Sequence, residues 1–284
     1  MDDTHKLPLP PRSQTLLDEL SQRVIVADGA MGTMLQDAGP TLDDFLQLEG
    51  CNEILNDTRP DIVESIHDAY FEVGVDCVET NTFGANWSNL SDYGIDERIE
   101  ELSQKGAEIA RKSAEKFEAQ DGRMRWVLGS MGPGTKLPSL GHTDYTFLKS
   151  TFERQAAGLI AGGADAFMVE TSQDLLQTKA AINGCKDAMR AAGTRLPLFV
   201  EVTVNHRHHA DGLRNQRSAH RTRAAQHRHD WAQLRDGPAG NERALTPALS
   251  ALTNSRDGHA QRWFARTHPH RGVVSSGARR ARHG

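Results

Sequence analysis

Cysteine is scarce and scattered. Cys51, Cys77 and Cys185 are the only three in the 284 residues, and no two stand in a CxxC pair, so a disulfide framework is not expected and a reducing cytoplasm is the expected setting. The opening "MDDTHKLPLPPR" lacks the basic start and apolar run of an export signal. Long apolar runs are also missing: "AAGLIAGGADAFMV" is interrupted by Gly162, Gly163 and Asp165 well short of a membrane span, which points to a soluble chain with no membrane partner. The turn "DGAMG" has neither the GxGxxG spacing of a dinucleotide site nor the GK[ST] of a P-loop, so nucleotide binding has no support.

Other scarcities are confined to one end. Residues 205–284 contain no Lys, Ile, Met, Cys or Tyr, yet hold 15 Arg and 10 of the 13 His against 5 acids. Residues 1–204 hold 18 Lys+Arg against 33 Asp+Glu, so a body of charge −15 and a tail of +10 lie behind the net −5. A basic arm of this kind can bind nucleic acid through phosphates, which is the alternative function. Without apolar periodicity, however, the segment reads as a disordered, solvated extension, and nucleic acid is not the expected partner.

Residues 1–204 carry the opposite pattern. Short apolar runs at 24–28, 75–80, 126–130, 165–170 and 197–204 alternate with amphipathic segments such as "TRPDIVESIHDAYFEVG", which has Pro60 in its first turn and Gly74 as a stop. Continuous apolar strands between helices predict an α/β protein with a parallel sheet, and ligands of such sheets bind at the carboxyl ends of the strands. At those ends stand Asp28-Gly29-Ala30, Glu79-Thr80-Asn81, Gly129-Ser130-Met131 and Glu170-Thr171. One acid after a strand is commonly a helix cap. Three on four successive strand ends would repel one another unless they served a cation or an amine.

"VADGAMGTMLQ", "CNEILNDTRPDIVESIHDAYFEVGVDCVETNTFGAN", "GSMGPGTKLPSLGH" and "GGADAFMVETSQDL" together resemble the N-terminal homocysteine-binding domain of the cobalamin-dependent methionine synthases, over residues 14–204. The resemblance implies a (β/α)8 TIM barrel, here a partial one made of the first five βα units. It also implies homocysteine as substrate, zinc to hold the sulfur as a thiolate, and methylcobalamin as methyl donor. Asp28 and Glu170 match positions that contact the amino group of homocysteine, and Gly29 and Ala30 would offer backbone N–H groups to its carboxylate. Glu79 and Asn81 lie on the same rim and complete the substrate-side candidates. The cobalamin-binding and folate-binding domains are expected to lie outside these 284 residues.

The family's zinc cysteines, one in an Asn-Cys-Ala segment and two adjacent ones further on, have no counterpart after Cys185. No metal ligand or catalytic residue is therefore assigned, and the chain is expected to be inactive. The tail offers a reason. A family-like continuation after Val204, Glu-Thr-Thr-Gly-Thr-Met-Leu, spelled in GC-rich codons and read from its third base, gives Asn-His-Arg-His-His-Ala, the sequence of residues 205–210. The family segment around Asn-Cys-Ala, spelled in synonymous codons chosen to fit, gives residues 227–238 in the same shifted frame.

Overall fold

The apolar runs become strands where a neighbour supplies a backbone ladder. In the structure, a computed structural model that describes residues 3–203, four parallel strands pair in chain order: β1 (Cys77–Glu79), β2 (Trp126–Met131), β3 (Ala166–Ser172) and β4 (Leu198–Val202). The tail expected to be disordered, 205–284, lies outside the described residues. The helices described are α1 (Pro11–Gln22), α2 (Met31–Asp37), α3 (Leu55–Thr58), α4 (Pro60–Glu72), α5 (Trp87–Asp92), α6 (Ile99–Asp121), α7 (Tyr145–Ala161) and α8 (Leu175–Ala192).

Residues 24–28, expected as the first strand, run beside β1 but make only one parallel bridge, Ala27 to Cys77. Two observations account for this. Val26 is 43% exposed, and its N–H is taken by the Asp76 side chain at 2.9 Å instead of a strand partner.

The two faces of the sheet differ. On one, Val78, Val127, Phe167, Val169, Leu198 and Val200 pack with residues of α4, α6, α7 and α8 into a single large core. Each such side chain contributes roughly 1.5–3 kcal/mol when fully buried. On the other, Cys77, Trp126, Leu128, Ala166, Met168 and Phe199 pack with Leu16 of α1 and with Ile25. Successive strand residues point to opposite faces. Continuing the second set toward the carboxyl ends therefore brings up Glu79, Ser130, Glu170 and Glu201.

A repeated device fixes the strand starts. Gly74 and Gly163 adopt left-handed φ of 92° and 86° at the ends of α4 and α7. Asp76 and Asp165 follow each of them two residues later. Asp76 accepts the Val26 N–H, and Asp165 accepts the Val127 N–H at 2.9 Å, so each acid ties its strand to the preceding segment. Arg23 and Arg123 neutralise Asp76; Arg12 and Arg111 neutralise Asp165.

Candidate functional site

Asp28 is held at the sheet's carboxyl edge by its backbone N–H, which donates to Cys77 O at 3.1 Å, and by its Oδ1, which accepts the Glu79 N–H at 3.0 Å. Burial pushes the Asp28 carboxyl well above the usual range, and the charge of Glu170 adds to the effect against those backbone bonds. Both acids stand at the carboxyl ends of the strands, where the charge of one reaches the other. Glu170 is buried, and its Oε1 accepts the Ser130 hydroxyl at 2.6 Å.

The next residue, Thr171, has φ 56°, a strained conformation for a β-branched side chain. The β3–β4 register shifts between Val169 and Ser172. Such a bulge bends a strand and re-aims its side chains, as recurs beside binding sites.

The other candidates divide. Gly29 and Ala30 are exposed and lead into α2, whose N-cap Ala30 makes no side-chain cap. Tyr70 lies beneath them, its hydroxyl donating to Ala30 O at 3.2 Å. A Cβ on Gly29 would stand 3.2 Å from that hydroxyl, so the loop and ring are fitted closely. Glu79 is half-buried at the end of β1 beside Asp28. Asn81 points elsewhere: both its amide hydrogens are taken, by Asn52 O at 2.9 Å and Asn56 Oδ1 at 3.0 Å, which ties the β1 loop to α3 and the segment before it.

Two residues were not singled out in the sequence. Ser130 is the donor to Glu170, and buried Glu201 brings another carboxylate to the same face from β4. Period-two alternation from Trp126 and Phe199 was the available signal for both.

Zinc does not fit the cysteines present. Cys51, Cys77 and Cys185 belong to three separate apolar clusters and all are buried. Burial raises each thiol, Cys51 to about 11 and Cys77 and Cys185 also upward, whereas a zinc ligand must be a thiolate. Among the described residues, no group of three or more His, Cys, Asp or Glu is placed to hold a metal ion.

At the carboxyl edge of this parallel α/β sheet, Asp28, Glu170 and Glu201 stand above a sealed apolar layer. The sequence model of the family described as homocysteine S-methyltransferase matches residues 25–234, and the chain belongs to that family. The match runs past Val204, where the composition changes. Methionine synthase of Mycobacterium tuberculosis is 62% identical over 189 residues, 66% of this chain and 16% of that protein; the Mycobacterium leprae methionine synthase is 60% identical over the same length. The chain thus spans about a sixth of the length of these relatives. Among solved structures, the Escherichia coli homocysteine methyltransferase MmuM superposes with a TM-score of 0.57 in its metallated form, at 18% identity, covering 84% of this chain and 92% of that one. Its oxidized form gives 0.55. At that identity the likeness concerns the fold. The family match favours the methyltransferase reading over a nucleic-acid arm. No described helix is long and apolar enough to cross a membrane.

Proposed function

We propose that residues 14–204 form the first part of a homocysteine-binding (β/α)8 barrel and bind homocysteine without methylating it. The observation that carries this is the two acids held at the strands' carboxyl ends, Asp28 by the Glu79 N–H at 3.0 Å and buried Glu170 by the Ser130 hydroxyl at 2.6 Å, with the charge of Glu170 raising the Asp28 carboxyl further. An α-ammonium between them relieves that repulsion and gives both carboxylates a charge-assisted partner. The Gly29–Ala30 backbone, exposed at the start of α2, would offer its N–H groups to the ligand's carboxylate. Glu79 orients Asp28 through its N–H.

Binding and orientation are only part of methyl transfer. A free thiol with a pKa near 8.5 is mostly protonated at neutral pH, and the thiolate is the nucleophile. The described residues offer no thiol set that would activate it. Cobalamin and folate, which belong to the methionine synthase reading, are proposed to act through chain outside these residues.

Calorimetric titration of the 284-residue protein with L-homocysteine tests the proposal. Binding should be measurable and should weaken roughly 10- to 100-fold in both Asp28→Asn and Glu170→Gln, the range for losing a hydrogen bond to a charged group. Unchanged affinity in both variants would place the ammonium elsewhere and refute the reading. Methionine should not accumulate when free methylcobalamin is supplied.

A further inference from the structure

We propose that Ser130 is a positioning residue: its hydroxyl, oriented by a closed set of hydrogen bonds from Thr80 and Thr82, presents Glu170 to the α-ammonium and so sets the site's preference for an amino-acid thiol. The inference rests on the homocysteine reading above. It begins where the β1–β2 ladder stops. Glu79 lies opposite Leu128 in the last register pair, so Ser130 has passed beyond the end of β1. Two threonine side chains replace the missing backbone partners: Thr80 Oγ1 accepts the Ser130 N–H at 3.0 Å, and Thr82 Oγ1 donates to Ser130 O at 2.7 Å.

The proton directions follow from valence. Thr82 has committed its one hydroxyl proton to Ser130 O, so in its 2.6 Å contact with Thr80 it accepts. Thr80 therefore donates to Thr82 while accepting from Ser130 N, and both hydroxyl protons are committed. Gln155 of α7 adds donors to Thr82 O at 2.9 Å and to Ser130 O at 3.4 Å. All four of these side chains and Glu170 are buried, so water does not compete and the arrangement is stiff. Ser130 is thereby clamped at its N–H and its C=O, and its own hydroxyl proton goes to Glu170 Oε1 at 2.6 Å. A donor fixed on one oxygen keeps Glu170 an acceptor, as an ammonium requires. The bulge at Thr171 leaves Glu170 at the distorted end of its ladder, which is where a side-chain tether matters.

The test uses the full chain and two ligands, L-homocysteine and 4-sulfanylbutanoate, which lacks only the amino group. Wild type should prefer homocysteine. Ser130→Ala should lose roughly tenfold in homocysteine affinity while holding 4-sulfanylbutanoate within about twofold, with Ser130→Thr retaining the preference. Thr80→Val, nearly isosteric, removes the acceptor of the Ser130 N–H and should give the same selective loss, which decides the matter if Ser130→Ala does not fold. Equal weakening toward both ligands, or none toward either, would show that the hydroxyl only packs and would overturn the inference while leaving the homocysteine reading intact. A wild-type protein that does not distinguish the ligands overturns that reading, and this inference with it.

Discussion

At the scale of the residue, the least comfortable side chain is His67, in the middle of α4. It is fully buried, and neither ring nitrogen has a hydrogen-bond partner among the described residues. Burial lowers its pKa to about 4, with a small opposing pull from Asp68. A free histidine has a pKa of about 6.5. As pH falls below that value the unfolded chain takes up a proton that the folded one refuses, so stability drops from about pH 6.5 to about pH 4 and then levels. The full effect is on the order of 3 kcal/mol. His67→Leu should remove that part of the slope, read by urea unfolding at pH 7 and pH 4.5; equal losses in variant and wild type would show that the imidazole is not the titrating group. Asp28 has the opposite sign. Its carboxyl is raised, so the fold favours the protonated form, and stability is lost as pH rises above the unfolded value of about 3.9. Asp28→Asn keeps an oxygen for the Glu79 N–H, removes the buried charge, and should raise the thermal midpoint at pH 7, by about 1 kcal/mol of stability, while weakening homocysteine binding. A lower midpoint would mean that the acid is stabilised by contacts other than those described.

At the scale of the element, helices α6, α7 and α8 approach one another through glycine. A Cβ on Gly158 of α7 would lie 2.2 Å from Glu100 O, and one on Gly184 of α8 would lie 2.7 Å from Lys149 O. Alanine is the better helix former by about 1 kcal/mol, yet here it meets backbone that cannot turn aside. Gly158→Ala should therefore destabilise by about 1–3 kcal/mol, seen as a lower urea midpoint at unchanged slope; a gain in stability would mean the α6–α7 contact is loose. This contact was not legible in the sequence, because α7 was hidden: "YTFLKSTFERQAAGLIA" has no clean apolar stripe. Asp144, which caps it by accepting from Thr146 and Phe147 N–H, was its one plain signal. By contrast α4, α6 and α8 could be read from periodicity and from Gly74 and Gly193 as stops, both found at left-handed φ. β2, β3 and β4 could be read because strands buried on both faces are continuously apolar. The run at 24–28 looked the same but, among the described residues, had only one neighbour to pair with. Of the candidate site, the acids were visible because polar residues closing apolar strands stand out. Alternation from Trp126 put Ser130 on the same face, but nothing in the sequence marked it as the hydrogen-bond donor to Glu170.

At the scale of the whole molecule, the acidic body and the arginine-rich segment after Val204 pose one question: whether the second was ever shaped to complete the first. Among the described residues β4 pairs only with β3, and the segment at 24–28 only with β1. Among the described residues, neither outer edge carries a further strand, and an uncovered edge is a recognised route to association between chains. A barrel closes such edges by continuing the sheet. Continuing it in the family's manner would also supply cysteines that this sequence lacks after Cys185. The three present cannot replace them: Cys77 lies within β1, Cys185 within α8 against Met131 at 3.5 Å, and Cys51 in the cluster with Ile54 and Leu90. If the frame shifts after Val204, closure and zinc are lost together, and one repair restores both. The protein as written should bind no stoichiometric thiol-ligated zinc and should associate in light scattering. A chain restored to frame after Val204, long enough to include the family's three cysteines, should bind one zinc, unfold cooperatively and methylate homocysteine from methylcobalamin. Sulfur-bound zinc at one per chain in the protein as written, measured by elemental analysis with X-ray absorption at the zinc edge, would overturn this account of the tail.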